Sequence, residues 1–228
     1  MNQEELYERK GMIMILAYLL LFIGGQVALI SFGLPINQTM IVSFAIQVVL
    51  ILLGWYLYRD TLAQDWQELK AQISIKSLIL WFIGAFIAMV ALRVVTMKIL
   101  ENFMDLSNLA ANQQALNELS KAQPFFLTFF MVAIFAPFVE ELVFRQAIIG
   151  SFDKTNKTLM IILSCLSVVL FTGAHMATWA DATIYLPLSL VILFFYWKFQ
   201  GNVLATILFH FFNNFIAIII MFTLSDYL

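Results

Sequence analysis

The chain is 228 residues long, 63% hydrophobic and only 11% charged, with a mean hydropathy of +0.93. A soluble domain carries roughly 25% charged residues, so the composition excludes one and implies a polytopic membrane protein. A net charge of −2 argues against a nucleic-acid partner, and a single cysteine, Cys165, excludes an intrachain disulfide.

The first ten residues, MNQEELYERK, are charged. The apolar run that follows, 11–32, is long enough to cross a hydrocarbon core roughly 30 Å thick. It ends in GLPINQTM without a small-residue cleavage pattern, and reads as a retained helix. Further runs of spanning length follow at 40–58, 77–98, 124–147, 159–176, 183–199 and 202–224. Backbone groups in lipid must be satisfied within the segment, and the period-2 alternation of a barrel is absent, so these are helices. No internal repeat is present. The expected fold is an all-α polytopic membrane protein of about seven transmembrane helices, with 1–228 as a single membrane domain.

Two connections carry a pattern of their own. In DTLAQDWQELKAQ, residues 60–72, Leu62, Trp66 and Leu69 share one helical face while Asp65, Glu68 and Lys70 lie elsewhere. That spacing predicts an amphipathic interfacial helix. The longest polar stretch, 99–123, predicts a helical external loop. Orientation follows from the basic residues. Arg9 and Lys10, then Arg59, Lys70 and Lys76, then Lys154 and Lys157, then Lys198 fall on one side. The other side holds Lys121, with Arg93 and Lys98 near the end of the third span. The N-terminus is therefore expected in the cytoplasm, and Asp226 outside.

Against this apolar background the ionisable residues stand out. Glu140 and Glu141 are adjacent within MVAIFAPFVEELVFRQAII, where each carboxylate costs on the order of 2.5–3.5 kcal/mol to insert. Arg145 follows four residues after Glu141, on the same helical face, so the two can pair. Glu140 is turned about 100° away, free to face something else. His175 lies near the end of the fifth span, one turn beyond Phe171, and His210 lies in the seventh with Asn214 one turn further on the same face. A lone intramembrane histidine, or a His/Asn pair, more often serves as polar glue between helices. Together with the acidic pair, however, they make a set suited to amide hydrolysis. That reaction needs an activated water, a proton donor for the leaving amine, and donors for the developing oxyanion. Glu140 and His175 could polarise the water, and His210 and Asn214 could donate to the oxyanion. Ser164, Ser167 and Cys165 lie among apolar residues with no acid–base partner nearby in sequence, and read as packing residues.

The order EExxxR (Glu140, Glu141, Arg145), FxxxH (Phe171, His175), HxxxN (His210, Asn214) resembles the CPBP family, the CAAX proteases and bacteriocin-processing enzymes also called Abi. Pro137 before the acidic pair and YWKFQGNVLATILFHFFNNF before the last motif agree with it. The resemblance covers about 124–217; the first three spans match only in general hydropathy. It implies an intramembrane protease whose helices surround a polar cavity. Glu140 and His175 would correspond to the water-activating pair, His210 and Asn214 to the oxyanion hole, and Glu141 and Arg145 to supporting residues. Gln146 stands where many members carry glycine, a difference that touches packing more than chemistry.

The family has often been labelled metal-dependent, and Glu140, Glu141, His175 and His210 offer enough oxygen and nitrogen ligands for zinc. HxxxN replaces the HExxH of zincins, and an asparagine amide is a poor zinc ligand. The expectation is therefore a metal-free glutamate mechanism without a cofactor. The expected partners are a membrane-anchored protein or peptide substrate and the lipid bilayer. Rich Ile, Phe, Lys and Asn usage suggests a bacterial cell membrane. A non-proteolytic immunity or sensor-regulating partner is the alternative function. A proton relay or transporter is weaker, because no inverted repeat is present.

One depth requirement follows. Counted from the 148–158 loop at helical rise, Glu140 and His210 lie about 15 Å in, and His175 about 25 Å. Tilt, a displaced start to the fifth helix, or a loop standing off the membrane must bring them level.

Overall fold

The computed structural model describes residues 3–103, 106, 118 and 124–223. Among these residues, seven helices are long and apolar enough to cross a membrane, and no strand is present. Helix α1 comprises Gln3–Ala17, a π-wound stretch Tyr18–Ile23, and Gly24–Phe32. Helices α2 and α3 are Ile36–Gln72 and Ile75–Leu100. Helix α4 comprises Phe125–Thr128, π-wound Phe129–Phe135, α-helical Ala136–Glu141 and π-wound Leu142–Gly150. Helix α5 is Lys157–Ala174, α6 is Ala182–Lys198 and α7 is Val203–Thr223. The loop expected at 99–123 falls almost wholly outside the described residues, as do Lys121 and Asp226.

Local chemistry sets the breaks. Gly33 adopts φ +59°, a left-handed conformation that glycine reaches without strain, and Pro35 then starts α2. The Ser74 hydroxyl accepts the Ser77 amide at 3.2 Å and opens α3. Asn156 does the same for Leu159 at 3.1 Å on α5, and Asn202 for Ala205 at 2.9 Å on α7.

The structure revises the reading of 60–72. No break separates these residues from the second span; they are the last turns of the 37-residue α2. Leu62 and Leu69 are buried in protein, and only Trp66 of that stripe is exposed. Asp65, read as part of the polar face, is buried: its carboxylate accepts the Leu204 amide at 3.1 Å, and its backbone carbonyl accepts the Asn202 side chain at 2.7 Å. The helical period is right, but the start of α7 supplies polar partners on the face that sequence alone assigns to water.

The core is built around α4. Every residue from Leu142 to Ile149 is buried, as expected of a helix enclosed on all sides. Gly54 of α2 allows the Leu142 and Phe138 side chains to approach closely. On α5, Ser167 donates to the Phe144 carbonyl at 2.6 Å, and Ser164 accepts from Trp197 at 3.0 Å, the packing roles expected of them. Cys165 points outward and is exposed.

Candidate active site

The short α-helical segment Ala136–Glu141, held between two π-wound stretches, carries both glutamates. Such windings shift which side chains face inward and recur at functional sites. Glu141 and Arg145 pair as their spacing predicts, Oε1 to Nη1 at 3.2 Å, and both side chains are fully buried. Arg145 reaches further, donating through Nη2 to the Ser189 hydroxyl at 2.9 Å and the Ser189 carbonyl at 3.2 Å on α6. Its guanidinium lies 4.6 Å from the centroid of the Phe171 ring. A charge removed from water is tolerable only when its hydrogen bonds are largely met, and α6 helps to meet them.

The same Glu141 Oε1 accepts from His210 Nδ1 at 2.8 Å. This turns His210 Nε2 toward Glu140, 3.9 Å from Oε2. The other Glu140 oxygen lies 3.5 Å from His175 Nε2. Glu140 is thus bracketed by two imidazole nitrogens, while Glu141 braces one ring and the arginine. Glu140 and His210 are nearly sealed, whereas the His175 side chain is 18% exposed and forms the open side.

His175 caps the C-terminal end of α5, and its Nδ1 donates to the Phe171 carbonyl at 2.8 Å. A carbonyl only accepts, so Nδ1 carries the hydrogen and Nε2 is left to face Glu140. The ring is clasped between Phe171 and Tyr185, each with centroids 4.6 Å away. Beyond it, the Asp181 carboxylate takes the Thr178 and Ala177 amides at 2.8 and 3.0 Å and pins the turn that leads into α6.

These contacts resolve the depth requirement. Ser167, ten residues into α5, bonds Phe144, six residues before the end of α4. Helix α5 therefore starts about four residues, roughly 6 Å, further out than α4 ends. The His175 ring then folds back one turn onto Phe171 and closes the rest.

Asn214 sits one turn beyond His210 with its amide donating to the Val132 carbonyl at 2.9 Å and its oxygen accepting from Asn213 at 2.9 Å. Glu140, Glu141, Arg145, His175 and His210 thus form one continuous cluster, and Asn214 stands at its edge, tied to α4. Ser189, Tyr185 and Asp181 were not among the residues singled out from sequence. A serine or tyrosine in an apolar span has no periodic signature, and only the packing of α6 against α4 and the end of α5 brings Ser189 to Arg145 and Tyr185 to His175. Gln146 is buried, its side chain packed beside Gly150. Among the described residues, no three His, Cys, Asp or Glu side chains are disposed to hold a metal ion.

Residues 122–216, which carry all three motifs, match the type II CAAX prenyl endopeptidase Rce1-like family. The match agrees with the resemblance to the CAAX proteases and supports, in general terms, an intramembrane protease. None of the curated proteins and none of the solved structures compared with the chain matches it.

Proposed function

We propose that this protein is a CAAX-protease-like intramembrane endopeptidase that hydrolyses a peptide bond of a membrane-anchored protein or peptide. The observation that carries the reading is the bracketing of Glu140 by His175 Nε2 and His210 Nε2, 3.5 and 3.9 Å away, inside an apolar bundle. Glu140 and His175 hold the attacking water between them. Glu140 takes its proton as the oxygen adds to the carbonyl carbon. The tetrahedral oxyanion is met by His210 and Asn214. The bond from His210 Nδ1 to Glu141 orients the ring so that Nε2 faces the reacting group. Asn214 has two amide hydrogens, one on Val132 and one to give. The C–N bond then breaks, and the leaving amine takes the proton from Glu140. Arg145 and Ser189 act through Glu141, as positioning residues.

Zinc is the competing chemistry. Glu140 with two imidazoles is a donor set zinc accepts. Yet an ion on Glu140 would occupy the carboxylate that lies between the two imidazoles, while Glu141 Oε1 is already held by Arg145 and His210. This favours a metal-free glutamate mechanism. Activity is expected to survive exhaustive chelation, with metal analysis of the purified protein as the check; full loss restored by zinc overturns it.

The decisive experiment compares membrane peptides in cells carrying wild type, Glu140→Gln or His175→Ala at matched protein levels. Each substitution is expected to lower cleavage by about 10²-fold or more, and new C-termini in the wild type alone would identify the substrate. Retention of the cellular phenotype by both variants would indicate a non-catalytic partner instead.

A further inference from the structure

Helices α3 and α6 run antiparallel, joined by Trp81 against Phe194 and Phe82 against Phe195, with ring centroids 6.0 and 5.3 Å apart. Between them lies a groove of about 630 Å³, away from the acidic cluster. Its floor on α3 is small: Gly84, Ala85 and Ala88, one and two turns beyond Trp81. A Cβ at Gly84 would meet no atom within 4 Å, so the groove is open there and not filled by a neighbouring helix. Its walls are apolar, with Leu80 69%, Phe194 47% and Trp81 42% exposed.

One end of the groove differs in chemistry. Lys198, one turn beyond Phe194, lies with its Nζ 3.7 Å from the Trp81 ring centroid. Ser77 lines the same end, Ser74 and Ser77 exchange a 3.0 Å hydrogen bond, and exposed Lys76 is adjacent. From Ser77 to Ala88 the floor is eleven residues long, about 16 Å at helical rise. Lys198 and the Ser77 hydroxyl stand at one end, with Lys76 beside Ser77 in the chain, and an apolar channel of about half a bilayer's depth runs from it.

We propose that this groove is a binding site for one anionic phospholipid. The phosphate engages Lys198, Lys76 and the serine hydroxyls; the first carbons of an acyl chain pass Trp81, and the remainder lies along Gly84 and Ala88. A basic pocket between spans on the positively charged face of a membrane protein selects anionic headgroups. The site differs from an ordinary lysine anchor in having a shaped channel beneath its cations.

Native mass spectrometry of the purified full chain with phosphatidylglycerol or phosphatidylcholine of matched chains tests this. One phosphatidylglycerol is expected to be retained, with a preference of about 25-fold, since each lysine near an anionic headgroup contributes about fivefold. Lys76→Gln with Lys198→Gln is expected to remove the preference and leave residual binding. Gly84→Phe is expected to abolish retention of both lipids while thermal unfolding in detergent stays unchanged. Equal retention of the two lipids by wild type overturns the proposal. So does selective retention that Gly84→Phe leaves intact, or a protein dimer that this substitution dissociates.

Discussion

Phe171 is the residue on which the cluster turns, although it has no polar side chain. Its carbonyl fixes the His175 tautomer at 2.8 Å, and its ring touches the Arg145 guanidinium, His175 and His210. The FxxxH spacing thus has a physical reason: a ring folded back one helical turn needs an acceptor and an aromatic surface four residues earlier. Ser189 gives a sharper test. Ser189→Ala removes one of the Arg145 partners and leaves a buried guanidinium donor without it, at a cost of about 1–3 kcal/mol. Thermal unfolding should fall accordingly. If Ser189 acts on the reaction through Arg145 and Glu141, turnover should fall several-fold with KM little changed, and the pH profile should shift. A stability loss with an unchanged profile would make Ser189 purely structural. The adjacency of Glu140 and Glu141 and the pairing of Glu141 with Arg145 were legible in sequence because helical periodicity alone decides them. Ser189 and Tyr185 were not, because their partners lie on other helices.

Among the elements, α2 and α7 are coupled in a way that reaches the site. Asp65 near the end of α2 accepts the Leu204 amide in the first turn of α7, and Asn202 bridges back to the Asp65 carbonyl while capping Ala205. His210 lies two turns further along α7, so this clamp sets its depth relative to Glu140. Asp65→Ala is expected to destabilise by about 1–3 kcal/mol, because buried amides lose their acceptor. Turnover should fall more than it does in Trp66→Ala, which alters only an exposed face. Denaturation in detergent and a peptidase assay check the two effects separately. The stripe in 60–72 is a correct reading of helix and an incomplete reading of environment, since amphipathic periodicity does not say whether a polar face meets water or another helix.

At the scale of the whole molecule, the alternating helices gather the start of α1, the α2–α3 turn, the α4–α5 loop and the α6–α7 turn on one face. Arg9, Lys10, Lys70, Lys76, Lys154, Lys157 and Lys198 all belong to that face. We propose, on the positive-inside rule, that this face is cytoplasmic. In a Cys165→Ala background, a cysteine at Asp153 is expected to resist an impermeant maleimide in intact cells, and one at Asn37 to react. The reverse pattern would invert the topology. The apolar content, the helices and the three motifs follow from sequence by itself, because lipid leaves the backbone no other choice and periodicity places i and i+4 together. Only the tertiary structure decided that α5 starts further out than α4 ends, that His175 folds back to meet Glu140, and that Asp65 and Ser189 are buried partners. Those outcomes depend on how helices are offset and rotated against one another. That is settled by packing between segments far apart in the chain, which no local pattern encodes.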